Sequence, residues 1–113
     1  MNYLLDADAT IDHFAAEPGM QALYPTLAHA GIALAETTIL ELYTGVYRST
    51  DPVAAERQLT AFLRTVTVLP LTRRMTMRAA RIRADLLHRQ LSVRSRAYDI
   101  LAAAVALEHQ LTI

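Results

Sequence analysis

Cysteine and lysine are absent from this sequence, and glycine occurs only three times in 113 residues. Without cysteine there is no disulfide and no thiolate metal site, a composition that fits a reducing compartment such as the cytoplasm. Three scattered glycines cannot build a glycine-rich phosphate loop, and no serine stands in a nucleophile-elbow pattern. No apolar run reaches the roughly 18 residues that a membrane span requires. The start has no basic stretch ahead of an apolar core, so no secretory signal is expected. Repeats, low-complexity tracts and linkers are also missing, and residues 1–113 read as a single domain.

What is present is apolar residues, at 53%, and an uneven distribution of charge. Every basic side chain is an arginine. Residues 1–60 hold Arg48 and Arg57 against eight acids, a balance of −6, whereas residues 61–113 hold nine arginines against Asp85, Asp99 and Glu108, a balance of +6. An acidic half joined to an arginine-rich half suggests a cation site beside a polyanion-binding surface, although a solvated face with internal ion pairs has the same composition.

The stretch NYLLDADAT at 2–10 organises the chain. Tyr3, Leu4 and Leu5 form the continuous apolar run of a buried parallel strand, and Asp6 and Asp8 follow at its carboxyl end. In open α/β sheets that end is where ligands bind. A short helix from Thr10 is expected to stop at Pro18 and Gly19, and a helix over 20–29 to be broken or started by Pro25. A second strand is expected over 32–35. Thr38 and Glu41 have the spacing of a capping box. Asp51 and Pro52 cap and open a further helix, residues 66–69 form a third strand, and Thr72 caps a long helix with Met75, Ala79, Ile82 and Leu86 as its buried stripe. On another face of that helix Arg81 and Asp85 are spaced as an ion pair worth some tenths of a kcal/mol. AYDILAAAVAL at 97–107 is a helix buried on most sides, and residues 111–113 begin a fourth strand that is cut short. Strands alternating with helices predict a three-layer α/β/α fold around a short, mainly parallel sheet.

Asp6, Glu41 and Asp99 share one placement, just after a strand or in the first turns of a helix, and Asp8 can join them. Clustered carboxylates suit hard divalent cations such as Mg²⁺ or Mn²⁺, which generate hydroxide and stabilise charge on a phosphoryl group. Individually the acids have plainer uses: Glu41 as the partner of Thr38, Asp99 at a helix dipole, Asp8 as an N-cap. Like charges about 4 Å apart repel by about 4 kcal/mol at an effective dielectric of about 20. At least one acid is therefore expected to have a raised pKa without metal. His13, His29, His88 and His109 show no ligand spacing and are read as structural or surface residues.

YLLDAD at 3–8, TILEL at 38–42 with Gly45 four beyond Glu41, and YDILAAAVALEHQLTI at 98–113 together resemble the PIN-domain family. Within that family they are most similar to the VapC-type toxins of toxin–antitoxin pairs. The resemblance implies a Mg²⁺- or Mn²⁺-dependent endoribonuclease, cytoplasmic and homodimeric, held inactive by a cognate antitoxin. Asp6, Glu41 and Asp99 match the family's acids, Thr38 its hydroxyl residue, and Asp8 a position commonly Asn. Water activated by metal would attack an RNA phosphodiester, with Asp6, Asp99, Glu41 and Asp8 around the metal. Phosphate contacts would come from among Arg73, Arg74, Arg78, Arg89, Arg94 and Arg96. One departure stands out: the family usually continues past LTI to a further Asp or Asn, and this sequence ends at Ile113, so the last strand is expected to be truncated and the fourth acid missing. Two other readings compete. LLDADAT fits the first motif of haloacid-dehalogenase phosphotransferases with Asp6 as nucleophile, but their downstream lysine is absent. A PIN-like binding module impaired in catalysis is the non-enzymatic alternative.

Overall fold

The computed structural model describes residues 2–90 and 97–113. In chain order the elements are β1 (Tyr3–Leu4), α1 (Ala7–Phe14), α2 (Pro18–Ala30), β2 (Ile32–Ala35), α3 (Glu36–Arg48), α4 (Pro52–Leu63), β3 (Thr67–Leu69), α5 (Arg73–His88) and α6 (Ala97–His109). The three strands lie side by side in the order β1, β2, β3, all parallel. Tyr3 pairs with Ile32, and Ala33, Leu34 and Ala35 pair with Thr67, Val68 and Leu69. On the outer side of β1, Thr112 forms a parallel bridge to Tyr3. The Thr112 carbonyl accepts from the Leu4 amide at 2.7 Å, and the Thr112 amide donates to the Asn2 carbonyl at 3.0 Å. The expected fourth strand is therefore a single bridging residue.

The apolar strand runs are explained by burial on both faces. Successive side chains of a strand point to opposite sides, and the two sides belong to two different cores. Leu5, Ile32 and Leu34 pack with Leu27, Leu42, Val46, Leu59 and Phe62 beneath α1–α4. Leu4, Ala33, Ala35 and Leu69 pack with Met75, Ala102, Val105 and Ala106 beneath α5 and α6. The second side is built largely of alanine, so α6 lies close to the sheet and is itself buried at Ala102, Ala104, Val105 and Ala106. The stripe expected on α5 is core: Met75 and Ala79 are buried, and Ile82 and Leu86 pack beside Ala79. The result is the expected α/β/α layering.

Several local expectations need correction. Pro18 does not end a helix but opens α2, whose N-cap is Glu17, with carboxylate oxygens accepting from the Gly19 and Met20 amides. Pro25 sits inside α2 without breaking it. The carbonyl that loses a partner there belongs to Gln21, an exposed residue. Gly31, with φ 98°, ends α2 in a conformation that favours glycine, and its carbonyl accepts from both Asn2 and Tyr3. Asp51 caps α4 and Thr72 caps α5 as expected. Asp85 pairs with Arg89 at 3.3 Å rather than with Arg81. His13 stacks on Tyr24, with ring centroids 3.7 Å apart, which agrees with a structural role.

Candidate active site

The carboxyl ends of β1 and β2 feed directly into helices, and this places the acids. Asp6 follows β1 as the N-cap of α1: its Oδ1 accepts from the Ala9 amide at 2.8 Å, while its carbonyl accepts from the Thr10 hydroxyl and amide. One carboxylate oxygen thus holds the helix, and the other has no hydrogen-bond partner among the described residues. Asp8, expected as a possible N-cap, instead lies exposed in the first turn of α1.

β2 passes into α3 without a loop. Ala35 occupies the N-cap position with no side-chain hydrogen bond, so the capping box expected between Thr38 and Glu41 does not form. The helix begins three residues earlier than that spacing implied. Thr38 is consequently 2% exposed inside the first turn, and Glu41 projects one turn further along. Asp99 lies in the first turn of α6.

Asp6, Asp8, Thr38, Glu41 and Asp99 line one crevice of about 30 Å³, completed by Ala7, Tyr98 and Ala102. A cavity of that size holds one or two water-sized species. The carboxyl of Glu41 is held above its ordinary range, first by partial burial and then by the negative charges of Asp99, Asp8 and Asp6. This is the raised pKa expected of clustered acids, and it falls on the residue on which the charges of Asp99, Asp8 and Asp6 all act. Among the described residues no three His, Asp or Glu side chains surround a common point closely enough to cage a metal. The donors nevertheless suit Mg²⁺ or Mn²⁺: all are hard oxygens, and Mg²⁺ is usually held by one or two carboxylates with water and phosphate completing its shell.

The arginines are distributed less simply. Arg74 and Arg78 reach Glu108 at 3.1 and 3.5 Å. Glu108 lies nine residues beyond Asp99 on α6, roughly 13 Å along the helix axis, so the structure does not bring these two to the crevice. Arg73 is exposed at the start of α5 and Arg89 is paired to Asp85 at its end. Arg94 and Arg96 lie outside the described residues. Tyr98 was not singled out by sequence reasoning; its position next to Asp99 was the available signal.

Glu41 also edges an apolar cavity of about 300 Å³ lined by Ile11, Phe14, Leu42, Val46 and Leu59. Phe14 and Gln58 connect it to a wider opening of about 850 Å³ beside His13, Tyr24 and Phe62. Glu41 is thus shared by the acidic crevice and the apolar cavity between α1, α3 and α4. No helix among the described residues is long and apolar enough to cross a membrane.

The family description "PIN domain" matches residues 3–113. The fold is similar to that in the crystal structure of VapBC2 from Rickettsia felis bound to a DNA fragment from their promoter, with TM-score 0.86 at 20% identity, covering 98% of this chain and 84% of that one. DNA-bound VapBC from Salmonella typhimurium gives 0.86 at 22% identity, covering 98% and 83%. FitAcB from Neisseria gonorrhoeae gives 0.83 at 23% identity, covering 96% and 83%. No curated protein matches the sequence.

Proposed function

Because this chain belongs to the PIN domain family, we propose that it is a divalent-metal-dependent endoribonuclease, the VapC-type toxin of a toxin–antitoxin pair. The observation that carries this reading is the convergence of Asp6, Asp8, Glu41 and Asp99 on one crevice at the carboxyl end of the sheet. The family match includes the DADAT stretch, which favours the nuclease over the phosphotransferase reading.

Asp6 and Asp99 would hold Mg²⁺ or Mn²⁺ with Glu41 and Asp8 as further ligands or water-orienting groups, and the ion would supply an activated water and charge stabilisation at phosphorus. Asp6 is oriented for this by the α1 amide that fixes its other oxygen. Glu41, which shares the crevice with Asp6, Asp8 and Asp99, is suited by position to take a proton from a water aligned for attack. Thr38, buried at the crevice wall, offers a hydroxyl to the same water or to a phosphate oxygen. Arg73, Arg94 and Arg96 would grip flanking phosphates, while Arg74 and Arg78 reach them by releasing Glu108 and Arg89 by releasing Asp85. Binding should then weaken steeply with salt.

The cognate antitoxin is assigned to the apolar cavity that Glu41 edges between α1, α3 and α4, where an apolar segment can bury Ile11 and Phe14 beside the acids. A second copy of the chain is assigned to the outer face of α3, where Leu40 and Tyr47 are 53% and 68% exposed beside Ile39, Tyr43 and Leu71. Light scattering of Tyr47→Glu, expected monomeric, checks that assignment. The function itself is tested by incubating the purified chain with RNA in EDTA, Mg²⁺ and Mn²⁺. Cleavage leaving 5′-phosphates, dependent on metal and abolished in Asp6→Asn, is expected. Metal-dependent cleavage that survives Asp6→Asn would refute it.

A further inference from the structure

Thr10 closes the DADAT stretch, and the chemistry proposed above makes no use of it. It lies one turn inside α1 and is fully buried. Among the described residues only Thr38, in the crevice wall, is a second buried polar side chain. A hydroxyl taken out of water costs free energy unless it is bonded, and valine would fill the same space without one. The Thr10 hydroxyl donates to the Asp6 carbonyl at 2.8 Å, and the Thr10 amide donates to the same oxygen at 3.1 Å. We propose that Thr10 is a positioning residue, which holds Asp6 in its metal-binding orientation by fixing the main chain behind it; this rests on the nuclease reading above.

A threonine hydroxyl commonly bonds to the carbonyl four residues back in a helix, as Thr44 and Thr76 do on exposed surface. Thr10 differs in its burial and in its acceptor, which belongs to a residue whose carboxylate lines the crevice. The bond from the Ala9 amide to Asp6 Oδ1 fixes one carboxylate oxygen but not the direction in which the side chain leaves the main chain. That direction follows from the Asp6 backbone, extended at ψ 176°. A change in ψ would swing the carbonyl away from both Thr10 donors. The carbonyl accepts at the first turn of the helix, where ends fray, and a second, buried donor on its other lone pair resists that fraying.

The test uses the full chain without RNA. Mn²⁺ affinity is measured by calorimetric titration and the melting temperature in EDTA. Thr10→Val keeps the shape and the amide but loses the hydroxyl. It should melt no lower than the parent and bind Mn²⁺ roughly tenfold more weakly, the low end of the range for groups that hold a metal ligand from behind. Thr10→Ser keeps the hydroxyl and loses a buried methyl. It should melt lower than the parent yet bind Mn²⁺ within about twofold of it. Stability and metal affinity thus move apart in opposite senses in the two variants, which a purely structural hydroxyl would not produce. Parent-like Mn²⁺ affinity in Thr10→Val, a loss of affinity in Thr10→Ser as large as in Thr10→Val, or a Thr10→Val that melts well below the parent would overturn the proposal. Failure of the nuclease reading shows separately, as no Mn²⁺ binding by the parent or cleavage that is independent of Asp6, and takes the proposal with it.

Discussion

Asp6→Asn offers a clean way to ask whether the four acids form a metal site, because Asp6 does two things that the substitution separates. Its Oδ1 caps α1 through the Ala9 amide, and asparagine caps a helix about as well as aspartate. The variant therefore keeps the cap, loses one of the charges that press on Glu41, and in EDTA should be no less stable than the parent. Metal should separate the two proteins. An ion bound only by the native state at 100 times its dissociation constant adds about 2.7 kcal/mol. For 113 residues the unfolding entropy is about 0.24 kcal/mol/K, so the melting temperature should rise by about 11 °C in the parent. Differential scanning fluorimetry in EDTA and in a Mn²⁺ series measures this directly. Asp6→Ala is the contrasting control: losing the cap costs about 1 kcal/mol, or about 4 °C, even in EDTA. An equal Mn²⁺-dependent rise in Asp6→Asn and the parent, or none in the parent at millimolar Mn²⁺, would refute the placement of the ion on Asp6.

Glu41 has a pKa raised from its ordinary 4.5, so the folded chain takes up this proton before the unfolded chain does. The stability it contributes is complete below the ordinary carboxylate range and is lost as pH rises through the raised pKa; in EDTA, Glu41→Gln should flatten that part of the pH–stability curve. Ala16 ends α1 at φ 55°, with its amide on His13 and the Glu17 amide on Asp12. Ala16→Gly should gain roughly 0.5–1 kcal/mol after allowing for glycine's greater freedom when unfolded, read as a higher urea midpoint. Leu34 is fully buried, and Leu34→Ala should cost about 2–5 kcal/mol in the same experiment. Arg74→Gln should leave the salt dependence of RNA binding unchanged, since its partner in the structure is Glu108; a slope shallower by about 0.7 would show a phosphate contact instead.

The acids and the sheet were legible in the sequence because both depend on short-range rules. An uninterrupted apolar run followed by a carboxylate marks a buried parallel strand and its carboxyl end, and YLLD obeys that rule. Asp51 with Pro52, and Thr72, announce helix starts through capping chemistry that involves only neighbouring residues. What misled were places where tertiary packing sets the boundary. Thr38 looks like a cap because its spacing to Glu41 is right, but β2 runs straight into α3, and Thr38 ends in the crevice wall. Pro25 looks like a helix end, yet it lies on the exposed side of α2, which continues through it. The partners of the arginines were illegible because Glu108 is 34 residues from Arg74, and only the packing of α5 against α6 joins them.

The two-residue strand β1 lies between β2 and the segment around Thr112, and this has a consequence for the order in which the protein is made. Asp6 leaves the ribosome 93 residues before Asp99, and among the described residues the strand that aims it is secured on its outer side by main-chain bonds to Thr112. Asp99 likewise arrives late. During synthesis from the N-terminus, the four acids cannot be drawn together until nearly all of the sequence is outside the ribosome. A nascent chain carries its first acidic corner long before it carries a site, and whatever activity the crevice confers begins only after translation of this domain is essentially complete.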